Sequence, residues 1–411
     1  MERTELLIIG AGAAGMAAAI SSARTGMHPI LVEKLQSTGK KVSATGNGRC
    51  NLMNLGTPVY YGDNSFAKLI LGDTAVQELT DFWQSIGLKI RYDAGGLGYP
   101  CTYLASTVND CLRREMKRLG VEIRTGFPIC SLTSEMDGFH AVTKDLLSLH
   151  AKRVILATGG AAQPKLGGNL DAWPWLEALG HRMIPPFPSL TSLRTDSLSV
   201  SGLAGLRVKC RIALLTDGKP VHYETGELLF TEHGISGICV MQCSRFALPG
   251  RSEVQIDLMH DLFEDTESLS SELLLRRDRL NDDEPQEMLE GLCAPKLAYA
   301  VCKQARLPLR GEKCRDLTEA QIHALAATLH SYRMQVTGVD GFDRAQVMAG
   351  GVSCAQINPE NMESLIVPGL HIVGELLNVD GACGGYNLMF AFLSGIRAGN
   401  NQKGTGLKTT V

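Results

Sequence analysis

The sequence predicts an α/β fold in which a parallel sheet is interrupted by a small antiparallel domain and a helical segment. Apolar runs that end in glycine occur near the N-terminus, at 154–160 and at 370–374. Continuous apolar runs are typical of strands buried on both faces of a parallel sheet. Residues 203–230 alternate between polar and apolar side chains, which indicates antiparallel strands. Residues 260–332 are rich in Leu, Glu, Arg and Ala, which favours helices.

The first elements predict a β-α-β unit with a glycine-rich turn between its first strand and its helix. Residues 5–9 are apolar, residues 14–25 have the Ala-rich composition of a helix, and residues 28–33 predict a second strand. The turn, Gly10-Ala11-Gly12-Ala13-Ala14-Gly15, matches G-x-G-x-x-G, and Glu33 ends the second strand. This context indicates a Rossmann-like domain that binds a dinucleotide, and a packing turn without a ligand is the alternative.

Each part of this motif has a physical role in holding a dinucleotide. Gly10 permits the tight turn, Gly12 lets the backbone approach a pyrophosphate, and Gly15 lets the helix pack closely on the strand. The helix N-terminus presents free N–H groups and a partial positive charge to the phosphates. Glu33 can accept hydrogen bonds from the hydroxyls of an adenosine ribose, and its charge repels a 2′-phosphate.

The remaining elements predict the order of the domains. An amphipathic helix over 105–119 ends at Gly120, a strand follows from 121, and Asp137-Gly138 indicates a hairpin. The segment 185–188 is rich in proline, which indicates a linker or an edge strand. We therefore predict a dinucleotide-binding domain at 1–187, a β-barrel-like substrate domain at 188–256, a helical insert or lid at 257–331, a return strand of the barrel at 332–348, and completion of the first domain at 349–411.

Composition and charge exclude several classes of protein. The chain has 411 residues, a net charge of −3 and 44 glycines, without the G-X-Y period of collagen. The charge balance gives no reason to expect a nucleic-acid or membrane partner, and no apolar run approaches the ~18 residues that span a bilayer. We expect a cytoplasmic protein, because no export signal precedes the first strand, and we expect its 12 cysteines to be free thiols. No CxxC occurs, so we predict no metal site.

A second glycine-rich segment, residues 39–54, is predicted to be a ligand-binding loop. It contains three glycines and several small polar residues, a composition that suits neither a helix nor a strand. Backbone N–H groups and hydroxyls in such a loop can wrap around a ligand. A plain surface loop is the alternative.

Motifs over nearly the whole chain resemble a family of flavoproteins. Three features resemble the glutathione-reductase superfamily: the N-terminal G-x-G-x-x-G motif with Glu33, the 39–54 loop, and Ala157-Thr158-Gly159-Gly160. More narrowly, it resembles the HI0933-like (YhiN/BaiN-type) FAD-dependent oxidoreductases, through Gly48-Arg49-Cys50-Asn51, residues 226–237, Ala349-Gly350-Gly351-Val352, Pro368-Gly369-Leu370, and the block from Gly374-Glu375 to Gly384-Gly385-Tyr386-Asn387-Leu388. One departure is the stretch 164–173, which we expect to shape the flavin edge or the substrate site.

The resemblance implies that FAD is the cofactor and that specific residues hold it. The N-terminal motif and Glu33 would hold the ADP half, Glu375 would bond the ribityl chain, and the last helix would begin against the flavin ring. A helix N-terminus stabilises the negative charge of a reduced flavin. The implied cofactor-binding residues are Gly10, Gly12, Ala13, Ala14, Gly15, Glu33, Lys34, Lys41, Ser43, Gly46, Gly48, Arg49, Cys50, Ile129, Ala157, Thr158, Gly159, Gly374, Glu375, Asp380, Gly384, Gly385, Tyr386, Asn387 and Leu388.

Five side chains are candidates for the one proton that flavin chemistry leaves to the protein. We select Tyr386, Cys50 and His233, with Cys383 and Tyr103 as further candidates. Structural roles remain the alternative for each of them, because a lone buried cysteine is more often an apolar filler. No CxxxxC dithiol lies beside the first loop, which counts against a disulfide reductase.

The leading functional prediction is reduction of a conjugated enone C=C bond in a steroid-like or bile-acid-like small molecule, by hydride transfer through flavin N5. The alternatives are an aminoacetone-type amine oxidase that uses oxygen, and a non-catalytic flavoprotein or RNA-binding or RNA-modification factor. NAD(P)H is a candidate for a transient electron donor, although no second G-x-G-x-x-G follows a strand. The sequence leaves a monomer and a homodimer equally open.

Overall fold

The computed structural model describes residues 2–308 and 311–402. The chain divides into two compact units. The first unit comprises Met1–Pro188 and Ala345–Val411, and the second unit comprises Ser189–Arg344. Each unit has its own core of buried apolar side chains.

The strands of the described residues are numbered in chain order. They are β1 (Glu2–Ile9), β2 (Ile30–Glu33), β3 (Met53–Asn54), β4 (Tyr60–Gly62), β5 (Ile90–Tyr92), β6 (Leu97–Pro100), β7 (Glu122–Thr125), β8 (Ile129–Glu135), β9 (Gly138–Thr143), β10 (Ser148–Leu156), β11 (Met183–Ser189), β12 (Leu193–Thr195), β13 (Arg207–Thr216), β14 (Lys219–Thr231), β15 (Gly234–Ser236), β16 (Ser252–Asp257), β17 (Tyr332–Val339), β18 (Val347–Val352), β19 (Leu370–Ile372) and β20 (Val379–Gly381).

The helices of the described residues are numbered in the same way. They are α1 (Ala13–Arg24), α2 (Lys40–Ala44), α3 (Asn64–Leu71), α4 (Ala75–Ser85), α5 (Ala105–Arg118), α6 (Trp173–Ala178), α7 (Ser197–Val200), α8 (Ile238–Cys243), α9 (Thr266–Arg279), α10 (Pro295–Gln304), α11 (Glu319–His330) and α12 (Tyr386–Asn400).

The central sheet of the first unit confirms the predicted α/β class. Its strands lie in the order β7-β2-β1-β10-β9-β8, and β19 also pairs with β10. The pairs β2–β7, β1–β2, β1–β10 and β10–β19 are parallel, whereas β8, β9 and the first half of β10 form the antiparallel part. Because β19 comes from the C-terminal segment, the sheet is completed only after the second unit has been traversed.

Helices α1 and α12 pack against each other through small residues. A Cβ atom at Gly395 would lie 2.2 Å from the carbonyl oxygen of Ala14, and one at Gly399 would lie 2.5 Å from that of Ala18. These glycines therefore let the two helix backbones approach closely. This contact holds the C-terminal helix directly beside the helix that follows the N-terminal motif.

Helix α5 agrees with the predicted helix over 105–119 and adds a buried ion pair. Glu115 is 5% exposed, and its carboxylate accepts hydrogen bonds from Arg118 and from Arg24 of α1. The bonds from Arg118 and Arg24 lower the pKa of Glu115 to about 2, against the opposing effect of burial. The pair ties α5 to α1.

The predicted loop over 39–54 is partly wrong, because helix α2, a 3-10 turn at Thr45–Gly48 and strand β3 lie within it. The side chain of Asn109 on α5 donates to the carbonyl oxygen of Gly39 at 3.1 Å and to the hydroxyl of Ser43 at 2.7 Å. These bonds from a distant helix hold the short helix α2 against α5.

The second unit is a closed antiparallel barrel with associated helices, as the fold class predicts. The barrel order is β12-β15-β14-β13-β16-β17, so β17 closes the barrel after the helical segment. Helices α9, α10 and α11 lie between β16 and β17 in the chain. A turn at Asp217-Gly218 joins β13 and β14, with Asp217 at φ 51° and Gly218 at φ 73°.

Candidate cofactor-binding site

A cleft in the first unit lies at the carboxyl ends of β1, β2, β10 and β19. An open parallel sheet places its ligand at this edge. The cleft is lined by Ile9, Gly10, Ala11, Gly12, Ala13, Ala14, Val32, Glu33, Lys34, Leu35, Ser37, Lys40, Lys41, Val42, Thr45, Phe127, Ile129, Ala157, Thr158, Gly159, Leu166, Gly167, Asn169, Asp171, Trp175, Gln346, Val347, Val373, Gly374, Glu375, Val379, Asn387, Leu388, Phe390 and Ala391.

The three motif glycines meet different surroundings. A Cβ atom at Gly10 would lie 2.4 Å from the carbonyl oxygen of Ala157, and one at Gly15 would lie 1.8 Å from that of Gly10. A Cβ atom at Gly12 would meet no atom within 4 Å. Gly10 and Gly15 are therefore required by the packing of strand and helix, whereas Gly12 faces open space in the cleft.

The N-terminus of α1 faces the cleft without a side-chain cap. Its N-cap residue, Gly12, has no side chain, and no acidic residue lies in its first turn. Ala13 and Ala14 line the cleft, so their N–H groups and the positive end of the helix dipole are available to an anion. The buried hydroxyl of Thr158, which also lines the cleft, has no hydrogen-bond partner.

Glu33 is held by the backbone at the end of β2. Its carboxylate accepts one bond from the Ala11 N–H at 2.8 Å and one from the Leu35 N–H at 2.9 Å. Each carboxylate oxygen keeps a further lone pair, so Glu33 can also accept bonds from ribose hydroxyls. The orientation of this acceptor is thus set before a ligand binds.

Glu375 joins three segments at the middle of the cleft. Its Oε2 atom is 2.6 Å from the Lys41 ammonium and accepts a bond from the Gly160 N–H, and its Oε1 atom accepts one from the Met348 N–H. Lys41 and Glu375 both line the cleft and keep 29% and 20% of their side-chain surface exposed. A carboxylate and an ammonium in this position can bind hydroxyl and phosphate groups of a dinucleotide.

These features fit FAD. The uncapped N-terminus of α1 and the unpartnered hydroxyl of Thr158 face the cleft, and the carboxylate of Glu33 is fixed at one end of it. Of the residues that the resemblance implies, the following line the cleft: Gly10, Gly12, Ala13, Ala14, Glu33, Lys34, Lys41, Ile129, Ala157, Thr158, Gly159, Gly374, Glu375, Asn387 and Leu388. Their individual contacts with FAD remain predictions.

Other predicted cofactor residues do not line the cleft. Gly15 packs against the backbone of Gly10. Tyr386 is 7% exposed, and the Tyr386 hydroxyl donates to the carbonyl oxygen of Thr57 at 3.0 Å. The Tyr386 side chain is thus engaged in packing at the start of α12. The residues that do not line the cleft are Gly15, Ser43, Gly46, Gly48, Arg49, Cys50, Asp380, Gly384, Gly385 and Tyr386.

Some lining residues, such as Phe127 and Trp175, escaped the sequence prediction, whereas others belong to the stretch 164–173 that we expected to shape the flavin edge or the substrate site. Trp175 and Phe127 lie near Ile129, and the Trp175 indole N–H donates to the carbonyl oxygen of Cys130. Leu166, Gly167, Asn169 and Asp171 belong to the stretch 164–173, and Asp171 lies 3.5 Å from the ammonium of Lys34. This stretch therefore lies at the Glu33 end of the cleft.

A second group of side chains, called the Tyr99 cluster, lies beside the loop that continues from the cleft at Thr45. Tyr99 and Tyr103 are half-buried, with ring centroids 5.6 Å apart. The guanidinium of Arg91 lies 5.9 Å from the centre of the Tyr103 ring. Burial raises the pKa of Tyr99 and the Asp93 carboxylate adds to this, whereas the nearby Arg49 guanidinium opposes it. We define the Tyr99 cluster as Arg49, Arg91, Tyr99 and Tyr103.

The other predicted proton donors have different environments. Cys50 is fully buried, and burial raises the pKa of its thiol to about 11. Cys383 is half-buried, and burial raises its pKa as well. His233 lies in the second unit between β14 and β15, with 83% of its side chain exposed. All 12 cysteines are free thiols.

The fold and the cleft define a dinucleotide-binding protein with a Rossmann-like domain. A family model described as the HI0933-like protein Rossmann domain matches residues 4–401. The chain therefore belongs to the HI0933-like family of FAD-dependent oxidoreductases. Within residues 2–308 and 311–402, no helix combines the length and the apolar character that crossing a bilayer requires.

Known proteins are similar to this chain over nearly its whole length. It is 33% identical to a 3-dehydro-bile acid delta(4,6)-reductase of Clostridium scindens, over 95% of this chain and 97% of that protein. It is 30% identical to a ribosomal RNA dihydrouridine synthase of Escherichia coli, over 96% of each chain. A 3-ketosteroid-delta4-(5alpha)-dehydrogenase from Rhodococcus jostii RHA1 has a similar fold, with a TM-score of 0.51 and 14% identity over 97% of this chain and 96% of that chain.

Proposed function

We propose that this protein reduces a C=C bond conjugated with a ketone in a flat, polycyclic small molecule of the steroid or bile-acid kind. The observation that carries the proposal is the Tyr99 cluster, which sets phenol rings beside the loop that leaves the cofactor cleft. Phenol hydroxyls can donate a proton to the carbon next to a carbonyl, which is the step that the cofactor does not supply. The 33% identity with a bile acid reductase supports the same class of substrate.

The proposed mechanism assigns a task to each group of residues. FAD, when bound and reduced, supplies a hydride to the β-carbon of the enone. Gly12 and the α1 N-terminus would hold the pyrophosphate, and Lys41 with Glu375 would orient the middle of the cofactor. The Tyr103 hydroxyl donates a proton to the α-carbon and regains it from water. The C=C bond thereby gains one hydride and one proton.

Tyr103 is a better candidate for the proton donor than Tyr386 or Cys50. The Tyr386 hydroxyl already donates to the Thr57 carbonyl, and Cys50 is fully buried. Tyr103 is half-buried and has a φ of 53°, which is rare for a bulky residue. Backbone strain of this kind is concentrated at functional sites.

Reduction of a uracil base in RNA is the second candidate function. The 30% identity with a ribosomal RNA dihydrouridine synthase favours it, since uracil also has a C=C bond conjugated with a carbonyl. Acidic residues outnumber basic ones between 257 and 331, including Asp282-Asp283-Glu284. Such a segment repels phosphates, so the charge distribution favours the small molecule.

Anaerobic mixing of the reduced holoenzyme with a 3-oxo-Δ4 steroid or bile acid tests the proposal. We expect reoxidation of the flavin and formation of a product with two more hydrogens. In parallel reactions, uridine-containing ribosomal RNA tests the second candidate, and peroxide release on an amine panel tests the amine oxidase. The proposal is refuted if no 3-oxo-Δ4 compound reoxidises the reduced flavin, while the RNA does so or the oxidised enzyme releases peroxide from an amine in the presence of oxygen.

The variant Tyr103→Phe tests the proton donor. We expect the rate of product formation to fall about 100-fold, because general acid catalysis contributes about 10²–10⁴-fold. Tyr223→Phe, an exposed tyrosine on β14, is the matched control and should react as the wild type does. An unchanged rate in Tyr103→Phe removes Tyr103 from the mechanism.

The electron donor belongs to the same proposal. We propose that NAD(P)H reduces the flavin. Its docking would be transient, because the sequence has no second G-x-G-x-x-G motif after a strand that could form a permanent site. Anaerobic titration of the oxidised holoenzyme with NADH and with NADPH measures this step. Flavin that neither nucleotide bleaches would point to another donor.

A further inference from the structure

Three side chains that can bind a metal converge at the end of the central sheet that lies away from the cleft. Glu135 ends β8, Asp137 lies in the turn to β9, and His150 lies near the start of β10. Their donor atoms all lie within 4.8 Å of one another, and no other three His, Cys, Asp or Glu side chains do so in the part of the chain that the structure describes. The chain rises by about 23 Å from His150 to Ala157 at the cleft, so this group is remote from the cofactor site.

The distances within this group match those between the ligands of a tetrahedral zinc ion. The Nε2 atom of His150 lies 3.0 Å from Asp137 Oδ1 and 3.7 Å from Glu135 Oε2. Zinc bonds of about 2.0–2.1 Å place neighbouring ligand atoms about 3.3–3.4 Å apart in a tetrahedron. A hydrogen bond joins His150 only to Asp137, because 3.7 Å is too long for one. Two carboxylates that converge on one nitrogen repel each other unless a cation lies between them.

Outer partners hold each carboxylate with one oxygen turned towards His150. The Nη1 atom of Arg3 lies 3.7 Å from Asp137 Oδ2. The Nδ1 atom of His140 lies 3.8 Å from Glu135 Oε1. The other oxygen of each carboxylate faces the imidazole. Groups that contact the outer oxygen of a carboxylate ligand orient it for its metal, so both carboxylates are already in position.

The backbone brings Asp137 to His150 through a glycine. Gly138 has a φ of 145°, and a Cβ atom there would lie 2.3 Å from the carbonyl oxygen of Ala151. Only glycine therefore lets the turn lie this close to β10. The His150 side chain is 4% exposed, whereas the Glu135 and Asp137 side chains are 43% and 61% exposed. A fixed imidazole thus lies beneath two carboxylates whose outer side is open to water.

We propose that His150, Asp137 and Glu135 bind a divalent transition-metal ion, best matched by Zn²⁺, with water as the fourth ligand. Imidazole nitrogen and carboxylate oxygen are both zinc ligands, whereas Mg²⁺ and Ca²⁺ prefer oxygen ligands alone. The ion compensates the two carboxylates and joins the turn between β8 and β9 to β10. The absence of CxxC does not bear on this site, because its ligands come from three segments without a cysteine. The inference is independent of the proposed function.

Equilibrium dialysis of the holoenzyme against buffered Zn²⁺, with the metal content measured by mass spectrometry, tests the site. We expect the wild type to bind one Zn²⁺ that Asp137→Asn and Glu135→Gln each bind at least about 10-fold more weakly. Even the loss of a group that only hydrogen-bonds a metal ligand costs about 10- to 100-fold in affinity. Both side chains are exposed, so these variants should fold as the wild type does. His150→Gln tests the third ligand.

Amide hydrogen exchange of the same proteins locates the bound ion. Zn²⁺ should slow exchange at residues 135–138 in the wild type and leave it unchanged in Asp137→Asn, because the ion would tie this turn to β10. Mg²⁺ at the same concentration should have no effect on the turn. His28→Gln is the matched control, because His28 is an exposed histidine on the segment before β2. We expect it to bind Zn²⁺ as the wild type does.

Three results would overturn the inference. The first is a wild type that binds Zn²⁺ no more tightly than Asp137→Asn and Glu135→Gln do, which would assign any bound zinc to the free cysteines. The second is a loss of affinity in His28→Gln as large as in those two variants. The third is Zn²⁺ binding that leaves exchange at residues 135–138 unchanged. None of these measurements needs turnover, so the outcome does not depend on which substrate the flavin reduces.

Discussion

Replacement of Gly12 by alanine isolates cofactor binding from folding. A Cβ atom at Gly12 meets no protein atom within 4 Å, and Gly12 has φ −82° and ψ −164°, a conformation open to alanine. The new methyl group therefore costs the folded protein nothing by contact. It occupies the place where the backbone of a G-x-G-x-x-G turn approaches a pyrophosphate.

The expected change in FAD affinity is much larger than the expected change in stability, so the two can be measured separately. Alanine is a poorer N-cap than glycine by roughly 0.5–1 kcal/mol, and it gains about 0.4–1 kcal/mol by restricting the unfolded chain. The net change in the free energy of unfolding is therefore close to zero. Loss of one charge-assisted bond to the pyrophosphate costs about 1.5–3 kcal/mol, which corresponds to roughly 10- to 100-fold weaker FAD binding.

Two measurements on the apoprotein test this prediction. Quenching of FAD fluorescence on titration gives the dissociation constant, and thermal unfolding without FAD gives the stability. Gly15→Ala is the contrasting variant, because its Cβ atom would lie 1.8 Å from the Gly10 carbonyl oxygen and should destabilise the apoprotein itself. Wild-type FAD affinity in Gly12→Ala would refute the assignment of this turn to the pyrophosphate, and so would a clear loss of apoprotein stability.

Three further predictions concern the same unit. We expect Lys41→Met to weaken FAD binding about 10-fold in the same titration, because it removes the cation 2.6 Å from Glu375. Gly395→Ala should lower the free energy of unfolding by about 1–3 kcal/mol in denaturant titrations, because its Cβ atom would lie 2.2 Å from a backbone oxygen of α1. Glu115 has a folded pKa of about 2 against 4.5, so its ion pairs with Arg118 and Arg24 stabilise the fold above pH 4.5 and lose this effect as the pH falls towards 2. Glu115→Gln should therefore cost roughly 2–3 kcal/mol near pH 6 and almost nothing near pH 2; a difference that is independent of pH would contradict the assignment.

Local patterns predicted the β-α-β unit correctly, because strand, turn and helix are adjacent in the chain. The apolar runs, the G-x-G-x-x-G turn and Glu33 each have a physical requirement that can be recognised without a neighbour. The helix at 105–119 and its glycine cap were recognisable for the same reason. Gly10, Gly12 and Glu33 of this unit line the cleft.

The errors occurred where distant residues decide the local conformation. Helix α2 is held in place by Asn109 of α5, which bonds Gly39 and Ser43, and no pattern within 39–54 can reveal this contact. The same holds for Trp175 at the wall of the cleft. Composition indicates what a segment prefers on its own, and tertiary hydrogen bonds can exceed that preference.

The sequence by itself determined the class of fold, the family and the kind of cofactor, because these depend on motifs that are contiguous and chemically distinctive. Only the tertiary structure decided that Gly12 faces open space while Gly15 is packed, and that Lys41 meets Glu375. It also decided that Tyr99 and Tyr103 lie together beside Arg91. These relations join side chains whose distance in space is set by sheet order and helix packing. Spacing along the chain contains no measure of that distance.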